Sequence, residues 1–143
     1  MSTATTSANA IQNLIYRAVA WANMADNAAS SPATTIDIAL HTAAPATSSQ
    51  SSNEVTVGQW DTYARLSINR NTGGWDAASN GMVQNTALAQ FVEMASGTGC
   101  TITHVSAGTG GTIIHYGALT ASRAVSAGIQ PQFAANALKS TQS

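Results

Sequence analysis

Three histidines are the residues in this sequence best suited to bind a metal. His104 and His115 flank Gly108–Gly111, a predicted hairpin turn, so their imidazoles could face each other across neighbouring strands. His41 or Asp37 could then complete a ligand set. However, the sequence has no HxH or HExxH motif and no Cys/His spacing, and histidines in strands are usually half-exposed packing residues. We therefore predict no metal site and no bound cofactor.

Residues for catalysis are also scattered. The carboxylates fall one to an element, with no pair placed to converge on a bond, and no G-x-S-x-G elbow is present. Gly97–Gly99 and Gly108–Gly111 do not precede helices, so we interpret them as hairpin turns and not as phosphate loops. Cys100 has no basic neighbour to activate it and is expected to be a buried structural thiol. We predict that the chain is not an enzyme and has no catalytic residues.

The aromatic residues allow two interpretations. Trp60, Tyr63 and Trp75 lie close together in sequence, and Trp21 falls on a predicted helix. Large rings can supply much of the buried area in a core of small side chains, so Trp60 and Trp75 are expected to close the ends of a β-sandwich. One of the tryptophans could instead anchor an interface, where aromatic residues are enriched.

Composition excludes several classes of protein. Only 8% of the 143 residues are charged and the net charge is −1, so no basic surface is available to bind nucleic acid directly. No run of apolar residues is long enough to cross a membrane, and the first residues lack the features of a signal peptide. An uncharged surface of small residues over a weak core favours association. We expect a homo-oligomer or an assembly subunit.

The elements that must position these residues begin with a helix, predicted over about residues 9–25 after a frayed segment 1–8. Its apolar residues recur with the 3.6-residue period of one helix face, which we expect to be buried on the chain's own β-body or on a neighbouring copy. The candidate partner interface consists of Ile11, Leu14, Ile15, Val19, Trp21 and Trp60.

After Pro32 the hydrophobic period changes to two, and turn residues recur roughly every 8–12 positions, the spacing of an antiparallel sandwich or barrel. The predicted fold is mainly β, an antiparallel β-sandwich or barrel-like body with one N-terminal α-helix. Residues 1–31 are assigned to the N-terminal arm and helix, and residues 32–143 to the β-domain. The polar loop 43–54 is long enough to be functional or mobile. Predicted strands are 35–42, 63–70, 82–85, 88–94, 101–105, 112–116 and one near 133–139, with 55–60 as a candidate edge strand.

The order of several short motifs resembles the small virion proteins of tailed bacteriophages that are often labelled tail-fibre proteins. The similarity covers about residues 35–140 and leaves out the N-terminal helix. It implies a β-sandwich-like virion component without catalysis. The motifs are Ile38-Ala-Leu-His-Thr-Ala-Ala-Pro45, Asn53-Glu-Val55, Tyr63-Ala-Arg65, Gly74-Trp75, Thr103-His-Val105, Gly117–Ile129 and Pro131-Gln-Phe-Ala-Ala135.

These observations lead to a ranked expectation for function. The first hypothesis is a capsid cement (decoration) protein that stabilises the shell, made in the host cytoplasm and located in the virion, on the capsid surface more than on the tail. Its expected partners are the major capsid protein or other virion proteins. The alternative is a tail-fibre or tail-tip component. A third hypothesis is a carbohydrate-binding β-module in which Trp60, Trp75 or Tyr63 stacks on sugars.

Overall fold

A computed structural model describes residues 3–21 and 32–142. Strands outnumber the single helix, so the predicted mainly-β class with one N-terminal helix is confirmed. The elements in chain order are α1 (Thr5–Arg17), β1 (Thr35–His41), β2 (Leu66–Asn69), β3 (Met82–Gln84), β4 (Ala89–Gln90), β5 (Cys100–Thr109), β6 (Thr112–Val125), β7 (Gln132–Phe133) and β8 (Lys139–Thr141).

The helix is shifted towards the N-terminus relative to the prediction of 9–25. It begins at Thr5, inside the segment expected to fray, and ends at Arg17. Ala18 adopts a left-handed conformation (φ 56°), and the N–H of Val19 turns back to the carbonyl of Asn13 at 3.2 Å, which closes the helix in a Schellman-type cap. The predicted residues 22–25 lie outside the described residues, as does the predicted domain boundary at residue 31.

The end of α1 is also held by a cation. The Arg70 guanidinium donates to the carbonyl oxygens of Leu14 and Ile15, and to that of Ala33 at 3.1 Å. The last carbonyls of a helix have no partner within the helix and carry partial negative charge. A guanidinium at this position supplies both the missing donors and a favourable positive charge. An arginine more than fifty residues away therefore helps to determine where the helix stops.

The face that α1 buries most deeply differs from the predicted one. Ala8, Gln12 and Tyr16 are buried at four-residue spacing. The Tyr16 ring meets Trp75 edge-on at 4.6 Å, and the Gln12 amide donates to the carbonyls of Gly81 and Ser140, both at 3.1 Å. Of the predicted face, Ile11, Leu14 and Ile15 are only half-buried, and Val19 is 44% exposed. The periodicity prediction missed this face because it rested on aliphatic residues and did not include Gln12 or Tyr16.

The strands form three small sheets with the orders β2-β1-β5-β6, β3-β8 and β4-β7. The β1–β5, β5–β6 and β3–β8 pairs are antiparallel. The antiparallel prediction is therefore confirmed, whereas no closed barrel forms among the described strands. Residues 57–59 form a turn where an edge strand was predicted, and only Ala89–Gln90 of the predicted strand 88–94 is a strand.

The β5–β6 hairpin turns at Gly110 and Gly111, which both have positive φ angles. The glycine-rich stretch is thus a hairpin turn, as predicted. However, β6 runs to Val125 and not to residue 116, and the β5–β6 register shifts twice. His104 lies opposite Ala118 and His115 lies opposite Ala107, so the two histidines do not face each other.

Gly108, next to one register shift, is expected to tolerate no side chain. A Cβ at this position would overlap the carbonyl oxygen of Thr112 and lie 2.7 Å from Cδ of the buried Gln50. We expect Gly108→Ala to lower the free energy of unfolding by about 1–3 kcal/mol, the usual cost of overpacking. Gly117→Ala in the same hairpin is the matched control, because its Cβ would meet nothing within 4 Å. Equal denaturation midpoints for the two variants would contradict the explanation.

The chain divides into two compact units. One comprises residues 1–36, 68–89 and 133–143, and the other comprises residues 37–67 and 90–132. Trp75, Tyr16 and Val83 are buried in the first unit, whereas Trp60, Phe91 and Met94 are buried in the second. Over the described ranges, no helix has the length and apolar character needed to cross a membrane.

Candidate functional site

The most site-like group of side chains is a buried polar cluster in the second unit, consisting of His41, Gln50 and Ser106. The β1–β5 register places Ser106 opposite Ala39, two residues before His41, and brings the Ser106 hydroxyl to 2.8 Å from His41 Nε2. Gln50 reaches the same hydroxyl from the 43–54 loop at 3.3 Å and also donates to the carbonyl of Asp37 at 2.9 Å. The cluster therefore joins two strands and one loop.

The hydrogen bonds of the cluster fix the direction of each proton. His41 Nδ1 lies 3.0 Å from the carbonyl oxygen of Ser52, which can only accept, so Nδ1 carries the proton. Nε2 is then the acceptor, and the Ser106 hydroxyl donates to it. Ser106 in turn accepts from the Gln50 amide. Burial lowers the pKa of His41 below its ordinary value of 6.5, so the imidazole is neutral at pH 7.

A serine hydroxyl bonded to a histidine is also the arrangement that activates a nucleophile. Here His41 is 0% and Ser106 1% exposed, so no substrate can reach the hydroxyl. The other ring nitrogen, moreover, binds a backbone carbonyl and not a carboxylate. We conclude that this pair attaches the loop to the sheet.

An ion pair holds Glu54, the last residue of the same loop. The Arg65 guanidinium binds the Glu54 carboxylate through two hydrogen bonds of 2.7 Å, and this interaction raises the pKa of Arg65. The Tyr63 hydroxyl donates to Glu54 at 3.0 Å and accepts from the N–H of Leu40 at 3.0 Å. Burial is the main cause that raises the pKa of Tyr63, so its hydroxyl stays protonated and able to donate.

The 43–54 loop, expected to be functional or mobile, is thus attached through residues 50–54, and Asn53 in turn holds Ala44 near its start. Gln50 is fully buried, its N–H donates to the carbonyl of Gly111 at 2.9 Å, and Asn53 binds the carbonyl of Ala44 at 2.8 Å. The loop's exposed surface is formed by Ala43, Ala44, Ala46, Thr47, Ser48, Ser51 and Asn53. The loop presents small side chains from a fixed backbone.

Trp60 does not belong to an exposed interface, which corrects its place in the candidate set. Its exposure is 0%, its ring lies 5.5 Å from Tyr63 and 6.1 Å from Phe91, and its Nε1 donates to the Thr62 hydroxyl at 2.9 Å. Trp75 is 2% exposed. Neither indole can stack on a sugar in this fold, so the platform proposed for a carbohydrate-binding module is absent from these two positions. Both tryptophans are core residues.

The other candidates on and after α1 keep some access to solvent. Ile11, Leu14, Ile15 and Trp21 are half-buried, and Val19 is the most exposed of the set. These residues therefore still offer a partly apolar surface after the chain has folded.

The residues considered for metal or thiol chemistry are dispersed. In the described ranges, no three side chains of His, Cys, Asp or Glu come together as a ligand group. Cys100 is half-buried at the start of β5 and not fully buried as expected, and burial raises the pKa of its thiol. Raising this pKa lowers the thiolate fraction and with it the reactivity of the sulfur.

Sequence reasoning missed Ser106 and Gln50. A signal existed for Ser106, because it stands an even number of positions from Ile102 and Gly108 along β5. It therefore lies on the same inward face as these two buried residues. Gln50 carried no such signal, since it stands among serines in a loop without periodicity.

Two comparisons with known proteins add to this geometry. A family model described as "Podophage GP4 fiber I protein gp80" matches residues 2–141. No curated protein matches the chain.

Proposed function

Since the chain belongs to the family of the podophage GP4 fiber I protein gp80, we propose that it is a non-catalytic structural subunit of the tail fibre of a tailed bacteriophage. The family match confirms the resemblance to phage virion proteins labelled as tail-fibre proteins. The observation that carries the proposal is the length of the match, which includes the N-terminal helix and both compact units. The tail fibre thus replaces the capsid surface as the favoured location.

A non-catalytic role is supported by the most site-like cluster in the chain. His41 and Ser106 are enclosed, and each of their hydrogen bonds connects elements of the fold. A structural subunit needs a fixed surface more than an open cleft. The attached 43–54 loop and the enclosed tryptophans supply such rigidity.

The surface proposed to contact another virion protein, or a second copy of this chain, is the α1 face that carries Ile11, Leu14 and Ile15, together with Val19 just after the helix. Ile11, Leu14 and Ile15 are half-buried on this face, and Val19 remains 44% exposed. An apolar side chain that stays exposed after folding can be buried by a partner with a gain of about 25 cal/mol per Å² of apolar area. With 8% charged residues, the contacts are expected to be apolar and hydrogen-bonded, and therefore to depend little on salt.

A capsid cement protein is the second candidate function. The low charge and small-residue surface that suggested it also suit contacts made in many copies on a shell. The major capsid protein would then be the partner, and binding would stabilise the assembled shell by mass action.

The two candidates predict different phenotypes for particles that lack the protein. A fibre subunit is dispensable for the shell, so such particles are expected to retain DNA under heat or osmotic shock but to lose attachment to the host. Particles that leak DNA and still attach would contradict the fibre proposal and support the cement function. Imaging a tagged copy on the virion gives an independent measure of the same distinction.

Val19→Asp is expected to block incorporation of the protein into particles while leaving its fold intact. A charge on the proposed contact would have to be desolvated on binding, whereas in the free chain it is solvated, and surface substitutions change stability by only about 0.5 kcal/mol or less. The control is Val57→Asp, because Val57 is 68% exposed and lies outside the α1 face. The measurement is the amount of each variant in purified particles. Normal incorporation of Val19→Asp would remove this face from the interface.

A further inference from the structure

His41, Gln50 and Ser106 attach the 43–54 loop to the sheet. The cluster lies in one compact unit, and His41 and Gln50 are both 0% exposed. His41 holds the loop through the carbonyl of Ser52, and Gln50 holds it through the Ser106 hydroxyl. The hydrogen bond that Ser106 donates to His41 requires an unprotonated Nε2.

We propose that protonation of His41 releases the 43–54 loop from the sheet, so that the cluster is an acid-sensitive attachment. The proton would bind Nε2, where the Ser106 hydroxyl now donates at 2.8 Å. Ser106 would then face two donors, the imidazolium N–H and the Gln50 amide, and its own proton would lose its acceptor. Opening the loop brings the imidazolium into water. This removes the cost of burying its charge and the cost of leaving the Ser106 proton without an acceptor.

The charged groups around His41 do not compensate its protonation. Glu54 favours a positive charge on the imidazole, but its carboxylate is already bound by Arg65 through both oxygens and accepts from Tyr63. Arg65 and His104, which is paired with His41 across β1 and β5, oppose the charge. On its own strand, the Asp37 carboxylate accepts from Ser67. Burial is the largest influence and lowers the pKa of His41, against the hydrogen bond to the Ser52 carbonyl, which is the next largest and favours the charged imidazole.

The sign of the pH dependence follows from this arrangement. Above His41's ordinary pKa of 6.5 the imidazole is neutral whether the loop is attached or open, so pH has no effect. Below that value the open state binds a proton that the attached state does not bind. The open population then rises about tenfold for each pH unit, until the pH reaches the lowered pKa of the attached state.

Hydrogen exchange of the full chain tests the proposal, with measurements at about pH 7.5 and about pH 5 corrected for the intrinsic exchange rate. The reporters are the amides of Gln50 and Val55, which donate to Gly111 and Leu40. Their protection is expected to fall at the lower pH, by at most the ratio of the proton affinities of the open and attached states. Amides of the β3–β8 pair in the other unit serve as the internal reference, and their protection is expected to be the same at both pH values. Equal protection of Gln50 and Val55 at the two pH values would overturn the proposal.

Two variants identify the titrating group. His41→Gln cannot be protonated, so its loop is expected to exchange equally at both pH values. His104→Gln removes a half-buried histidine that lies opposite His41 and binds Thr103 instead of the loop, so its pH response is expected to persist. A pH response that survives in His41→Gln would refute the assignment.

If His41→Gln does not fold, nitrogen NMR of the wild-type chain tests whether His41 is the titrating group. The expected spectrum shows the Nδ1–H form of His41 and a titration midpoint below 6.5. A midpoint at or above that value, or the Nε2–H form, would overturn the proposal. None of these outcomes bears on whether the chain is a fibre subunit, since they concern the loop attachment alone.

Discussion

Trp60→Ala is expected to lower the free energy of unfolding by about 3–5 kcal/mol, the largest effect of any single substitution considered. The indole is 0% exposed and packs on Tyr63 and Phe91, so its removal leaves a cavity among residues that cannot all move into it. The change also deprives the Thr62 hydroxyl of its donor, while that hydroxyl continues to donate to the carbonyl of Glu93. Chemical denaturation at equilibrium measures the difference.

Tyr116→Ala is the control for Trp60→Ala, because it also removes a large ring but from a position that is 47% exposed. We expect it to cost less than about 1 kcal/mol. Trp60→Phe should fall between the two, since it keeps a ring but loses the N–H. If Trp60→Ala unfolded at the same denaturant concentration as Tyr116→Ala, the second unit would not depend on this aromatic cluster.

Arg65→Ala is expected to lower the free energy of unfolding by about 2–3 kcal/mol. Breaking a fully buried ion pair costs about 3–5 kcal/mol, and the partial exposure of this pair reduces the figure. The Glu54 side chain is 13% exposed and would retain only the Tyr63 hydroxyl as a partner. The 43–54 loop would lose its attachment at Glu54, so the protection of nearby amides should fall together with stability.

A double-mutant cycle separates the ion pair from the other effects of truncation. Arg65→Ala, Glu54→Ala and the double variant should give a coupling energy of about 1–2 kcal/mol, because the charges are in direct contact. Arg123→Ala is the matched control, since Arg123 is exposed on β6, and it should change stability by about 0.5 kcal/mol or less. A coupling energy near zero would reduce the pair to an ordinary surface contact.

Local patterns in the sequence predicted most of the strands correctly, and the reason is visible in β1. Ile36, Ile38 and Leu40 recur with a period of two and are all buried, as one covered face requires, while Ala39 and His41 on the opposite face are buried as well. The glycine turn at residues 108–111 was equally predictable, because positive φ angles at Gly110 and Gly111 are easily adopted by that residue type. The limits of the shortest strands were not, since the predicted strands 88–94 and 133–139 shrink to the two-residue β4 and β7, and two residues carry no periodicity.

The limits of the helix were beyond sequence reasoning because they depend on distant residues. Arg70 binds the final carbonyls of α1. On the face that becomes buried, Tyr16 packs against Trp75 and Gln12 donates to Ser140. A hydrophobic pattern cannot show that a glutamine will be buried, because its burial depends on the carbonyls of Gly81 and Ser140. The apolar residues of the predicted face are consequently left half-buried.

Sequence alone was enough to predict the class of this protein: a weakly charged, mainly antiparallel β chain with a single N-terminal helix and motifs of a phage virion family. These properties depend on composition and on short-range periodicity. It took the folded structure to show that Trp60 is enclosed, that His104 and His115 do not face each other, and that hydrogen bonds link His41, Gln50 and Ser106. Each of these outcomes depends on strand register and on the path of a loop, and both are set by contacts between residues far apart in the chain.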